Sequence, residues 1–238
     1  MKLLGLSNAK TIKGEKTQGV LTGILYLVPA KLKDTLASYD HDFIVDEKTA
    51  NKDLCPSRSE GCTSACLFTA GRGRMTPVLK ARTKKTLMFH QEREKFLTIL
   101  KDDIGKLQRK AQRAGLIPAV RLNGTSDIKW HKIAPSLFTD FPEVRFYDYT
   151  KHPVSTWPSI ANYDITFSRS EVNDFHVLEA LKAGKRAAIV FDKVPDTYKG
   201  FAVIDGDEDD VRFNDPQGVI IGLKAKGLAR KDTSGFVV

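Results

Sequence analysis

The sequence predicts an α/β protein: a TIM-barrel-like (β/α) barrel with an irregular N-terminal metal-binding loop region. Three observations predict it. Short apolar runs rich in β-branched residues recur through the second half of the chain. Helical or polar segments separate the earlier of these runs, which implies parallel pairing with right-handed crossovers. All three cysteines fall in one stretch, Cys55-Pro-Ser-Arg-Ser-Glu-Gly-Cys62-Thr-Ser-Ala-Cys66, ahead of that alternation. The 238 residues suit one large domain. Residues 1–238 therefore read as a single barrel-like domain, with 29–75 a cysteine-containing loop insertion.

The elements follow in order. An entry segment leads to an apolar run of strand length at 20–28. The loop-rich insertion comes next. From about 78 to 114 the pattern is helical, with Phe89, Leu97, Leu100, Ile104, Leu107 and Ala111 at three- and four-residue steps or their multiples. Gly115 ends that helix. Strands are predicted at 118–123, 144–149, 165–168, 187–191, 201–204 and 219–223. Helical connectors are expected at 130–138, 154–161 and 172–183, the last stopped by Gly184.

The formal charge of +9 favours a polyanionic partner, nucleic acid first. The start, Met1-Lys2-Leu3-Leu4-Gly5-Leu6, resembles a secretory signal but breaks at Ser7-Asn8-Ala9-Lys10. No apolar run approaches a membrane span. An odd number of cysteines argues for a reducing compartment, so a cytoplasmic protein without membrane contact is expected.

In a (β/α) barrel the working residues sit at the C-terminal ends of strands. Here those ends are polar. They read Asn123-Gly-Thr-Ser126-Asp127, Asp148-Tyr149-Thr-Lys151-His152, Ser168-Arg169-Ser-Glu171, Asp192-Lys193 and Asp205-Gly-Asp207. A single Asp in such a loop more often caps a helix or makes a turn. Several that converge could bind a metal, act as a base or attack an electrophilic carbon. Lys151, Arg169 and Lys193 could neutralise them or hold a phosphate.

The cysteine stretch allows two chemistries. Three thiolates and a histidine make a closed zinc site, with His90 the first choice as fourth ligand and His41 the second. Three thiolates around a cluster with one open iron would suit a radical S-adenosylmethionine enzyme. Those normally carry C-x3-C-x2-C, whereas this chain has C-x6-C-x3-C. Gly71-Arg-Gly-Arg74, Arg82, Lys84 and Lys85, with Phe68 nearby, form a basic run able to track phosphates.

Cys-Pro-x5-Cys-x3-Cys, Arg121-Leu-Asn-Gly-Thr-Ser-Asp127 and Phe146-Tyr-Asp-Tyr-Thr-Lys151 together resemble phage proteins of the "gene product 88-like" kind. The same order of motifs resembles the short phage DNA-guanine transglycosylases of the DpdA type, distant relatives of the queuosine tRNA-guanine transglycosylases. The resemblance runs from about residue 20 to the C-terminus. It implies a TIM-barrel-like core, zinc, and an exchange of guanine in DNA for a 7-deazaguanine such as 7-cyano-7-deazaguanine. The tRNA enzymes keep their Cys3His zinc site late in the chain; here the cysteines come early. On this resemblance the nucleophile and acid fall among Asp127, Asp148, Asp192 and Asp205. Asn123, Ser126, Tyr149, Lys151, Arg169 and Asp207 would contact substrate, and Cys55, Cys62, Cys66 and His90 would bind the metal. A carboxylate attacking C1′ of a nucleotide lifted from the stack would displace guanine and form a covalent glycosyl-enzyme. The alternatives are a radical S-adenosylmethionine-like iron–sulfur enzyme and a non-catalytic nucleic-acid-binding protein that uses zinc only to fold.

Overall fold

A computed structural model describes residues 1–6, 8–69 and 71–238. The chain opens with a short strand, β1 (Leu4–Gly5), and a polar helix, α1 (Ala9–Gln18). Asn8 caps α1: its side chain accepts from the Thr11 amide, and the Thr11 hydroxyl accepts from the Asn8 amide. Gly19, at φ 65°, ends it in the left-handed conformation that favours glycine. The first long strand is β2 (Val20–Leu25), buried along its whole length.

The insertion that follows is not wholly irregular. It carries three short helices, α2 (Leu32–Leu36), α3 (Glu47–Ala50) and α4 (Glu60–Ser64). The expected helix at 78–114 is two helices, α5 (Thr76–Gln91) and α6 (Arg93–Arg113). They part at Glu92, whose ψ of 54° takes it out of the helical region. Beyond them come β3 (Ile117–Arg121), α7 (Trp130–Ile133), α8 (Ser136–Asp140), β4 (Arg145–Thr150), β5 (Tyr163–Ser168), α9 (Asp174–Lys182) and β6 (Ala187–Phe191). The chain closes with β7 (Thr197–Tyr198), β8 (Phe201–Asp205) and β9 (Ile220–Lys224). Ala134-Pro135 separates α7 from α8. Of the connector expected at 154–161 only a 3-10 turn forms, Val154–Thr156, because Pro153 and Pro158 bracket it.

The nine strands form one mixed, mostly parallel sheet in the order β1-β2-β3-β4-β5-β6-β9-β8-β7. From β2 to β8 every pairing is parallel, while β1 and β7 add antiparallel edges. The fifth and sixth predicted strands exchange places, so β9 enters between β6 and β8. Lys199 and Gly200, both at positive φ, make the tight β7–β8 turn.

One face of the sheet buries the apolar stripe of α5 and α6. Phe89, Phe96, Leu100, Ile104, Leu107 and Ala111 pack with Leu21, Leu25, Val120 and Phe146. Farther along the sheet α9 covers β5, β6 and β9 through Val177, Leu181, Phe167, Ile189 and Ile220. The other face is charged at the N-terminal ends of the strands. Arg186 and Arg212 are almost fully buried there. Arg186 pairs with Asp164, and Arg212 lies 3.2 Å from both Asp209 and Asp215. Buried guanidinium groups are tolerated only when paired in this way. No helix among the described residues is long and apolar enough to cross a membrane.

Candidate functional site

Above that charged floor, at the C-terminal ends of the strands, lie two adjoining cavities. The first, of about 370 Å³, is lined by Cys55, Cys62 and Cys66 on one side and by the ends of β3, β4 and β5 on the other. The second, of about 490 Å³, reaches across β6 and β9 to the segment after β8. Leu67, Arg121, Gly124, Thr125, Tyr149 and Ser168 line both.

Long-range contacts hold the cysteine segment against the strand ends. The Asp127 amide donates to Leu54 O at 2.7 Å. Glu171, after β5, accepts from Ser59 Oγ and from the Gly61 amide, each at 2.7 Å. Ser57 Oγ lies 3.1 Å from His152 Nδ1. A Cβ at Gly61 would come 2.1 Å from Ser234 Oγ and 2.8 Å from Glu171 Oε2, so those side chains would have to move. Gly124 is more tightly confined, since a Cβ would meet the backbone at Leu25 O at 2.6 Å.

The three cysteines form no disulfide. Burial pushes the Cys55 thiol up to about 12, and Asp127 and the other two sulfurs push the same way. Burial raises Cys66 too; Cys62 adds to this, while Lys151 and Arg82 oppose it. The sulfurs are thus close enough to feel one another, yet among the described residues no three His, Cys, Asp or Glu side chains are grouped to hold a metal ion. His90 does not line the cavity with them. It lies on α5 against Phe89, with its Nε2 buried and unpartnered. Burial, with Lys52 and Arg93 nearby, lowers its pKa to about 4. His41 stacks between Tyr39 and Phe43 and is also outside the cavity.

Of the four candidate aspartates, only Asp127 lines the cysteine cavity. Its carboxylate accepts from Thr150 Oγ1 at 2.7 Å and from the Lys151 amide at 3.0 Å. Asp148 alternates with Tyr147 and Tyr149 along β4, so it shares a side with Phe146, under the helices. There it accepts from the Asn123 amide at 2.6 Å and from Tyr163 Oη at 3.0 Å. Burial raises its carboxyl to about 7 even so. Asp192 and Asp205 are exposed and line neither cavity.

The expected substrate contacts divide. Asn123 borders the cavity, but its side chain is a buried bracket: Oδ1 accepts from Ser126 Oγ, the Ile128 amide and Trp130 Nε1, and Nδ2 donates to Ile128 O. That bracket also takes up the Ser126 hydroxyl. Tyr149 lies under the Arg121 guanidinium, 4.5 Å from its ring centre, and faces both cavities. Lys151 Nζ donates to Ser168 Oγ at 2.8 Å. Arg169 pairs with Asp174 at 2.8 Å and donates to Gly235 O and Phe236 O, tying the C-terminal segment to the site. Asp207 sits between Lys10, at 3.1 Å, and Lys226. Burial would raise its carboxyl, but Lys226, the Lys224 amide and Lys10 outweigh it and hold the group at about 2.

Three further residues stand in the cavity walls. Arg121 pairs with Asp210 at 3.0 Å, and Tyr26 lies against Arg82. Arg121 opens the sequence motif that ends at Asp127, and Asp210 closes the acidic stretch 205–210, which reads from sequence as a hydrophilic turn or a cation site. Neither gains a site role from sequence alone, and Tyr26 gives no sign there.

No curated protein matches the chain, and no solved structure matches it. A family model does, over residues 2–238, almost the whole sequence, and the chain therefore belongs to the Gene product 88 family.

Proposed function

We propose that the chain is an enzyme whose three cysteines hold an iron–sulfur cluster with one open iron, facing a substrate cavity in the manner of radical S-adenosylmethionine enzymes. The observation that carries this reading is that Cys55, Cys62 and Cys66 line one cavity at the strand ends without a histidine in its wall. A closed structural zinc site takes four protein donors, with sulfurs about 3.8 Å apart for 2.3 Å bonds in a tetrahedron. A cluster takes each thiolate on a different iron, tolerates wider spacing, and needs no fourth protein ligand. When bound, such a cluster supplies single electrons to a ligand on its open iron. The protein's part would be to hold and shield. Leu67 and Phe68 wall the cluster side, Lys151 and Ser168 face the ligand, and Arg121 and Tyr149 floor the cavity.

The test is anaerobic reconstitution with iron and sulfide. A brown protein carrying about four irons, lost in a Cys55→Ala, Cys62→Ala or Cys66→Ala variant, supports the reading. A colourless protein that retains one zinc sinks it.

A second reading, DNA-guanine transglycosylase, is supported by Asp127 in the same cavity and by the net charge of +9. It would take Asp127 as nucleophile, a second acid from the Asp207–Asp210 segment, and DNA with a 7-deazaguanine base as partners. Incorporation of labelled 7-cyano-7-deazaguanine into DNA, abolished in Asp127→Ala, would establish it. Both readings suit a closed (β/α) barrel. Closure is supported by the segment after β8 meeting the opposite end of the sheet, through Lys10–Asp207 and through Val211 beneath Gly14. Family membership supports a bacteriophage source and the host cytoplasm as the place of action.

A further inference from the structure

Among the described residues, two partly buried cations at these cavities have no carboxylate partner. Arg82, on α5, lines the second cavity. Its guanidinium lies over Tyr26 and Phe68, 5.0 and 4.9 Å from the ring centres, and Nη1 donates to Phe68 O at 3.2 Å. Among the described residues no carboxylate comes within ion-pair distance of it. Lys151, at the end of β4, lines the first cavity; its ammonium has Ser168 Oγ as hydrogen-bond partner and no carboxylate. The other partly buried cations of the walls are matched, Arg58 by Asp53, Arg121 by Asp210, Arg169 by Asp174 and Lys10 by Asp207. Arg72 and Lys224 also line the second cavity without a carboxylate partner among the described residues, but both are exposed.

An unmatched, half-buried guanidinium is costly to desolvate, and it favours a ligand that restores the charge balance. Burial does lower the Arg82 pKa, with only Tyr26 and Cys66 acting against it. Lys151 Nζ reaches two residues of the cavity that Arg82 lines, Ser168 at 2.8 Å and Phe236 at 6.0 Å from its ring centre, so both cations face the shared wall.

We propose that Arg82 and Lys151 together bind a phosphate group of the substrate. Two unmatched positive charges suit a dianionic phosphate better than a single carboxylate. The fork of one and the point charge of the other are the usual donors to phosphate oxygens. Tyr26, Tyr149 and Phe236 leave apolar wall beside the anion for the rest of the molecule. The substrate class is thus a small phosphorylated compound, its phosphate near Cys66. This inference rests on the cavity being the substrate site, as argued above, and is independent of whether the cysteines carry iron.

The experiment is calorimetric titration of the whole chain, as purified and after cluster reconstitution, with inorganic pyrophosphate and, separately, malonate. Arg82→Gln, Lys151→Gln and the distant surface variant Arg113→Gln are compared, each first checked for an unchanged melting transition. Should Arg82→Gln fail that check, Arg82→Lys replaces it, since it keeps the charge and loses the fork. Pyrophosphate should bind the wild type more tightly than malonate does. Affinity should fall about tenfold or more in each site variant and stay unchanged in Arg113→Gln. Equal affinity for malonate, no saturable pyrophosphate binding, or an equal loss in Arg113→Gln overturns the proposal. So does a variant that loses iron while binding pyrophosphate normally, because the cations would then serve the cluster. Pyrophosphate binding in a chain that takes up no iron upholds this inference and sinks the cluster reading; iron uptake without pyrophosphate binding does the reverse.

Discussion

Replacing Glu171 by Ala should loosen the cysteine segment without unfolding the protein. Glu171 accepts two hydrogen bonds from that segment, from Ser59 Oγ and the Gly61 amide. Hydrogen bonds to a charged acceptor contribute about 1.5–3 kcal/mol each when shielded from water. Glu171 is half exposed, so solvent screening cuts that, and about 2 kcal/mol for the pair is a fair figure. If the loss falls on local opening, the open population rises about 30-fold. Amide hydrogen exchange with peptide-level mass spectrometry reads this directly. The Thr63 and Ala65 amides, bonded to Ser59 O and Gly61 O, should exchange about 30-fold faster, while α6 stays protected. Unchanged exchange in 59–66, or equal acceleration across the whole chain, would refute the reasoning. The effect also has a pH signature. Burial alone would raise the Glu171 carboxyl, but the bonds from Ser59 and Gly61 outweigh it and hold it below the ordinary range. Protection of the wild-type segment should therefore be full above about pH 5 and fade as pH falls through the carboxyl's lowered pKa.

Three further outcomes follow from the geometry. Asp148, its carboxyl raised to about 7, favours folding most when protonated. Stability should therefore decline between about pH 4 and pH 7, by up to about 4 kcal/mol, and denaturant melts of Asp148→Asn should lack that slope. Asn123→Ala strands the Trp130 indole N–H, the Ile128 amide and the Ser126 hydroxyl; urea melts should show a loss of about 3 kcal/mol or more. Gly124→Ala forces a methyl against Leu25 O and the Tyr26 ring, and should cost about 1–3 kcal/mol in the same melts.

Much of the fold was legible because its signals are strong. The buried strands are short runs rich in apolar, β-branched and aromatic residues, and the stripe from Phe89 to Ala111 marks the face that α5 and α6 bury. What escaped has physical causes. Helix α1 buries only Thr11 and Gly14, so it has no apolar periodicity to read. The exchange of β8 and β9 depends on long-range pairing that no local pattern records. At the site, the period of two along β4 puts Asp148 on the side of Phe146 and away from Tyr149, and this overrides its position near the strand end. His90 misled because nearness to Cys66 in sequence is not nearness in space: α5 carries it away from the cavity. Arg82 was visible as part of a basic run, but only its position over Tyr26 separates it from the exposed Lys84.

The contacts that fasten the cysteine segment bridge large sequence separations: Cys55 to Thr125, Ser57 to His152, and Ser59 and Gly61 to Glu171. Such contacts form only after β3, β4 and β5 are in place, because loop closure must precede them. The segment is then the last part of the molecule to set. A nascent chain would present its thiols on a loose tether beside a finished sheet, open to solvent and to oxidants. Docking onto Glu171 and His152 closes that window, so the thiols are most exposed to chemistry before the segment sets.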